Sequence, residues 1–165
     1  MNVYAMDKLM TEARKLAAQY REATGKPLAI STEIARHDAC RLLNLNPVES
    51  ADAGYDAVGT GPREALRIQI KGRAIFNEGK SGQRIGQLKL EQPWDRVVLV
   101  IMDAQFEPVE IYEASREEVE QAIDQDSRRN KRGALSVARF RNISQLVWRT
   151  DEGPLEDDVW DNQSG

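Results

Sequence analysis

The chain has little with which to build disulfides or soft-metal sites. Among 165 residues there is one cysteine, Cys40, and one histidine, His37. A lone cysteine excludes an internal disulfide, and the pair excludes a zinc site made of such ligands. Long apolar runs are missing too. The longest, residues 97–102, falls far short of the ~20 residues that a membrane-spanning helix needs. The first seven residues lack a basic stretch followed by an apolar one, so no secretion signal is expected and a cytoplasmic location is the default expectation. Aromatic residues are sparse, and Trp94, Trp148 and Trp160 are expected in core or docking positions, not as base-stacking platforms.

What is present suits one soluble domain with a full core: 41% of residues are hydrophobic and 30% charged. The expected organisation is a single domain over residues 1–150 and an acidic tail over 151–165. The net charge of -4 hides an uneven distribution. Asp151, Glu152, Glu156, Asp157, Asp158 and Asp161 crowd the tail, so the first 150 residues hold 23 basic against 21 acidic side chains. Arg128, Arg129, Lys131, Arg132, Arg139 and Arg141 form a basic stretch. It reads either as ordinary solvated surface or as a phosphate-binding face.

Leu9, Ala13, Leu16, Ala17 and Tyr20 recur at helical spacing, so a helix is expected over about 7–23, with Asp7 able to cap it. Ser31 or Thr32 can cap a second helix to about residue 44, with Glu33 in the first turn, where the helix dipole favours a carboxylate. A polar connector (44–53) leads to a short strand at 55–58, a turn, and a long strand over 65–76. A loop at 77–83 precedes an apolar strand at 95–102, expected to be buried on both faces, and a further strand at 108–113. Ser115-Arg116-Glu117-Glu118 is a capping box opening a third helix. The basic segment 127–133 reads as a loop, followed by two short elements at 135–140 and 145–149. This order predicts an α+β (α/β) fold with a mixed sheet of about four strands flanked by helices.

The most informative stretch is Arg67-Ile68-Gln69-Ile70-Lys71-Gly72-Arg73. Side chains alternate along a strand, so Gln69 and Lys71 share one face and Ile68 and Ile70 the other. Thirteen residues before Gln69 lies Asp56, in Gly54-Tyr55-Asp56. Hydrolysing a phosphodiester calls for hard oxygen ligands around a divalent metal and a cation to offset the developing charge. Asp56, the Gln69 side-chain carbonyl and the Ile70 backbone carbonyl supply the ligands, and Lys71 supplies the cation. Glu33 could add a carboxylate. His37, one turn beyond Glu33, could face the same cleft, although a lone helical histidine is more often an ordinary surface residue.

Glu33, Asp56 and Gln69-Ile70-Lys71 together resemble the PD-(D/E)xK nuclease superfamily, the restriction-endonuclease-like fold, in a QxK form. The resemblance spans about 32–123. Tyr55 stands where the family commonly has proline, and Gln69 where an acidic residue is commoner. The resemblance implies an α-β-β-β-α-β core and a Mg²⁺- or Mn²⁺-dependent endonuclease, with Asp56, Gln69, Lys71 and Glu33 catalytic and Asp56, Gln69 and Ile70 on the metal. The expected partner is nucleic acid, DNA first, with no membrane; a homodimer suits a double-strand cut, which needs two sites. Arg73, Lys80, Arg84, Arg128, Arg129, Lys131 and Arg132 are the candidate phosphate contacts, and Lys89 flanks the same loop as Lys80 and Arg84. Three other classes stay open: a nucleic-acid-binding module of the same fold without catalysis, a helix-turn-helix regulator beginning near 27–35, and an adaptor acting through the acidic tail.

Overall fold

The computed structural model describes residues 2–25, 28, 30–49, 53–75, 83–126 and 134–155. Helix α1 (Val3–Thr24) starts a turn before its expected N-terminus because Asn2, and not Asp7, caps it: the Asn2 side chain accepts the Ala5 N–H. Helix α2 spans Ser31–Leu42. The chain then forms β1 (Asn46–Pro47), β2 (Ala57–Val58), a single 3₁₀ turn (Gly61–Arg63), β3 (Arg67–Ala74), β4 (Arg84–Gln87), β5 (Arg96–Met102) and β6 (Pro108–Ser115). Helix α3 (Arg116–Gln125) opens on the expected capping box, with Ser115 and Glu118 each bonding the other's backbone N–H. Strand β7 (Ala134–Ser136), helix α4 (Val137–Ile143), β8 (Gln145–Arg149) and β9 (Gly153–Pro154) complete the order.

The mixed α+β architecture is as expected, but a four-stranded core is not what forms. Among the described residues the main sheet has seven strands in the order β1-β2-β3-β5-β6-β8-β9, and β4 pairs with β7 in a separate two-stranded sheet. Two of the extra strands, β1 and β9, are two-residue pieces centred on Asn-Pro and Gly-Pro. They carry no alternation that a sequence pattern could register. The sheet also runs past residue 150, since β9 pairs with β8. Among the described residues β3 and β5 run parallel, and the other ladders of this sheet are antiparallel. Among the described residues between β3 and β5 there is strand β4, which is not expected from the sequence.

Each face of the sheet has its own core. Ile68, Ile70 and Ala74 of β3 face α2, with Val98, Val100 and Met102 of β5 and Ile34, Ala35 and Ala39 of the helix. The opposite face of β5, Val97, Leu99 and Ile101, packs with Ile85, Trp94, Val119 and Phe140. This explains the uninterrupted apolar run of β5. Helix α2 crosses β3 at Gly72: a Cβ there would sit 2.3 Å from the Ala35 Cβ and 3.2 Å from the Ser31 carbonyl oxygen. Glycine at 72 is what permits so close an approach of helix to strand.

Candidate metal and phosphate site

Strand β3 sets the geometry. Gln69, Lys71 and Arg73 alternate against the residues facing α2, as the period of two requires. Strand β2 pairs only with Arg67 and Ile68, so β3 outruns its neighbour. Just beyond, the chain on the β2 side turns aside, and Asp56 takes over as partner. Its backbone N–H donates to the Ile68 carbonyl at 2.8 Å, and its carboxylate Oδ2 accepts the Ile70 N–H at 2.8 Å. A strand residue points its N–H and C=O to the same side. The Ile70 carbonyl is therefore directed to the edge where the Asp56 carboxylate sits.

Gln69 is 7% exposed. Its Nε2 donates to the Gly54 carbonyl at 2.9 Å, which fixes the amide on the same 54–56 segment. Its Oε1 is buried with no hydrogen-bond partner among the described residues. Gly54 holds this segment in place with a positive φ of 87°, and a Cβ there would meet Pro93 Cδ at 2.9 Å. Asp56 Oδ1, Gln69 Oε1 and the Ile70 carbonyl are all hard oxygens, the donor type that Mg²⁺ or Mn²⁺ takes. The set holds one carboxylate, and no group of three His, Cys, Asp or Glu side chains able to hold a metal occurs among the described residues.

Lys71 is partly buried, and its Nζ donates to the Gln87 carbonyl at 3.3 Å. Burial pushes its pKa below the ordinary lysine value; Asp56 pulls it up, and Arg73 and Lys89 press it down again. Lys71 thus lies within the electrostatic reach of Asp56, Arg73 and Lys89 together. Arg73 is committed to structure. Its Nε donates to the Arg84 carbonyl and its Nη1 to the Gly72 carbonyl, tying β4 to β3. Arg84 is exposed on β4.

The remaining predicted residues are not joined to this cluster. Glu33 is exposed in the first turn of α2, with no hydrogen bond or ion pair among the described residues. Asp56 acts electrostatically on Cys40, seven residues or about 10.5 Å further along α2. Burial is the main reason that the Cys40 thiol is pushed up to about 11, so it stays protonated and inert. His37 bonds Asp7 on α1, 3.1 Å away, and so does not face the cluster. Arg139 and Arg141 of the basic stretch are engaged with Asp126 and Glu110. Lys80, Arg128, Arg129, Lys131 and Arg132 lie outside the described residues.

No family model matches the chain. No curated protein matches it either.

Sequence reasoning missed two buried ion groups. Arg63 and Glu113, each 5% exposed, pair at 3.0 Å, and Arg96 reaches the same carboxylate. Arg14 on α1 pairs with the fully buried Asp38 on α2. Arg63 and Glu113 are fifty residues apart, and no local pattern marks either. Both groups tie separate elements of the fold together. An open hollow of about 560 Å³, lined in part by Arg41, Asp103, Glu107, Trp148 and Asp151, also contains none of the candidate residues.

Proposed function

We propose that this chain is a metal-dependent nuclease of the PD-(D/E)xK type, restriction-endonuclease-like in its site, that hydrolyses phosphodiester bonds in nucleic acid, DNA first. The observation that carries the reading is the Gln69 amide. Its nitrogen is tied to Gly54, which leaves the buried Oε1 without a partner on the segment that holds the Asp56 carboxylate. A buried, unsatisfied carbonyl oxygen costs about 1–3 kcal/mol, and a cation at that edge would offset the cost. Asp56, Gln69 and the Ile70 carbonyl would hold Mg²⁺ or Mn²⁺, which when bound supplies charge neutralisation and an acidified water. Lys71 stands next along the strand to orient that water and to offset charge on the phosphate. Lys89 adds positive charge at its side. The short β2 leaves the Ile70 N–H and carbonyl outside its ladder.

A second reading has its own support. With Gln69 in place of a carboxylate, the ligand set carries a single negative charge, which favours a nucleic-acid-binding module that does not cut. A helix-turn-helix reading has no such support: the inner face of α2 is packed on β3, and the segment after Leu43 enters β1.

Incubating the full chain with supercoiled plasmid tests the proposal. Nicking or linearisation with Mn²⁺ or Mg²⁺ is expected, stopped by EDTA and lost in Lys71→Ala and Asp56→Asn. Lys71→Ala cutting at the wild-type rate would sink the site. Wild-type chain that retards DNA without cutting it in either metal would establish the second reading.

A further inference from the structure

The turn between β4 and β5 is organised around one side chain from α3. Arg116 Nη1 donates to the Gln92 carbonyl at 2.7 Å and to the Trp94 carbonyl at 2.9 Å, and Nη2 donates to the Leu90 carbonyl. The guanidinium also lies over the Trp94 ring, 4.6 Å from its centre, and Glu120 holds its Nε at 2.8 Å. Trp94 is itself buried, and its Nε1 donates to the Lys89 carbonyl at 2.8 Å. The carbonyls of Lys89, Leu90, Gln92 and Trp94 are thus drawn onto two side chains. Arginine suits the task because its planar fork serves acceptors in several directions at once, whereas a lysine is a single point charge.

This turn rests on the segment that orients Gln69. A Cβ on Gly54 would lie 2.9 Å from Pro93 Cδ and 3.1 Å from Gln92 Cβ, so the turn lies directly against the Gly54 backbone. The next residue, Tyr55, packs with Leu90 on the core cluster that contains Trp94. The Gly54 carbonyl in turn accepts the Gln69 Nε2 at 2.9 Å, and that bond decides which end of the amide is left unpartnered. We propose that Arg116 is a positioning residue for the candidate metal edge: by fixing the 90–94 turn against Gly54 it fixes the Gly54 carbonyl, and with it the Gln69 amide. The inference rests on the metal-site reading above and adds to it a residue that acts through the turn. Without Arg116 the carbonyls of Leu90, Gln92 and Trp94 must find water, the turn draws back from Gly54, and the Gln69 amide is free to rotate.

Assigned NMR spectra of the metal-free full chain, together with Mn²⁺ titration calorimetry, test this. Arg116→Met should shift the Gln69 side-chain NH₂ signals and speed their exchange with water. It should also weaken Mn²⁺ binding by about 10–100-fold, the range for residues that stand behind a metal ligand. Arg116→Lys keeps the charge without the fork and should show most of the same change; it replaces Arg116→Met if that variant does not fold. Ile111→Val loosens the core on the other face of the sheet and should leave both readouts at their wild-type values. Gln69 signals that do not move in the Arg116 variants overturn the inference, as do signals that move equally in Ile111→Val. A wild type that binds no Mn²⁺, while Arg116→Met still releases the Gln69 amide, overturns the metal-site reading and upholds Arg116 as the residue that positions Gln69.

Discussion

Gln69→Glu turns the unpartnered oxygen into a measurement. Glutamate keeps the shape of the side chain but removes the Nε2 donor, so the Gly54 carbonyl loses its 2.9 Å bond. That loss costs about 1 kcal/mol, and up to three times as much if the carbonyl stays dry. The change also buries a second carboxylate near Asp56 at a position only 7% exposed. Desolvation and the like charge both raise the pKa of the new carboxyl, and each tenfold weakening of its acidity is worth about 1.4 kcal/mol. A destabilisation of roughly 2–4 kcal/mol follows at neutral pH in EDTA. Its pH dependence has a definite sign. A carboxyl whose folded pKa is raised destabilises only where it must ionise. The penalty is therefore absent below the unfolded value of about 4.3, grows from there to the folded value, and is complete above it. Divalent metal should reverse it, since a cation at a hundred times its dissociation constant returns about 2.7 kcal/mol. Urea unfolding with EDTA, Mg²⁺ or Mn²⁺ across that pH range reads all three effects. A variant as stable as wild type in EDTA, or one that no metal rescues, would show that the Oε1 does not face a cation site.

Lys71→Met should stabilise the metal-free chain at neutral pH while eliminating any cleavage. Burial lowers the folded pKa of Lys71, so the charged form penalises folding below that value, and the gain should vanish as pH climbs past the ordinary lysine range; a thermal-melt series from neutral to alkaline pH checks this. Gly72→Ala places a methyl group 2.3 Å from the Ala35 Cβ and should cost about 1–3 kcal/mol by chemical denaturation; a loss below the detection limit would mean that α2 can lift off β3 freely. Glu113→Ala removes the carboxylate that pairs with the buried Arg63 and should lower stability by about 3–5 kcal/mol, whereas replacing Arg63 and Glu113 together with apolar residues should recover much of the loss.

Local signals located most of the long elements, and the capping box at Ser115 fixed the start of α3. The alternation of Gln69 and Lys71 was legible because one strand's period decides it. Sheet extent was not legible. Strands β1 and β9 are too short to carry a period, and β4 pairs with β7 across a long stretch of chain; β8 lies where the second short terminal element was expected, at 145–149. Helix α1 shows the converse difficulty. Leu9, Leu16 and Tyr20 have the spacing of a core-facing helix, yet the domain buries the neighbouring line through Ala17 and Met10. Periodicity reveals that a helix has an apolar side; it does not reveal which line of that side the fold buries. Glu33 illustrates a third limit. Its place in the first turn follows from the sequence, but the distance from there to Asp56 depends on how α2 lies across Gly72.

The two-residue length of β2 has a consequence for how this protein could be altered. Had β2 continued as a strand of ordinary length, its backbone would take the Ile70 N–H and carbonyl into a ladder, and Asp56 would have no free donor to cap. Insertions or repairs that regularise this sheet would therefore close the edge proposed to hold a cation while making the fold look better formed. An engineer seeking stability should leave the 53–56 segment irregular and strengthen the far side of the sheet, where β8 and β9 already finish it.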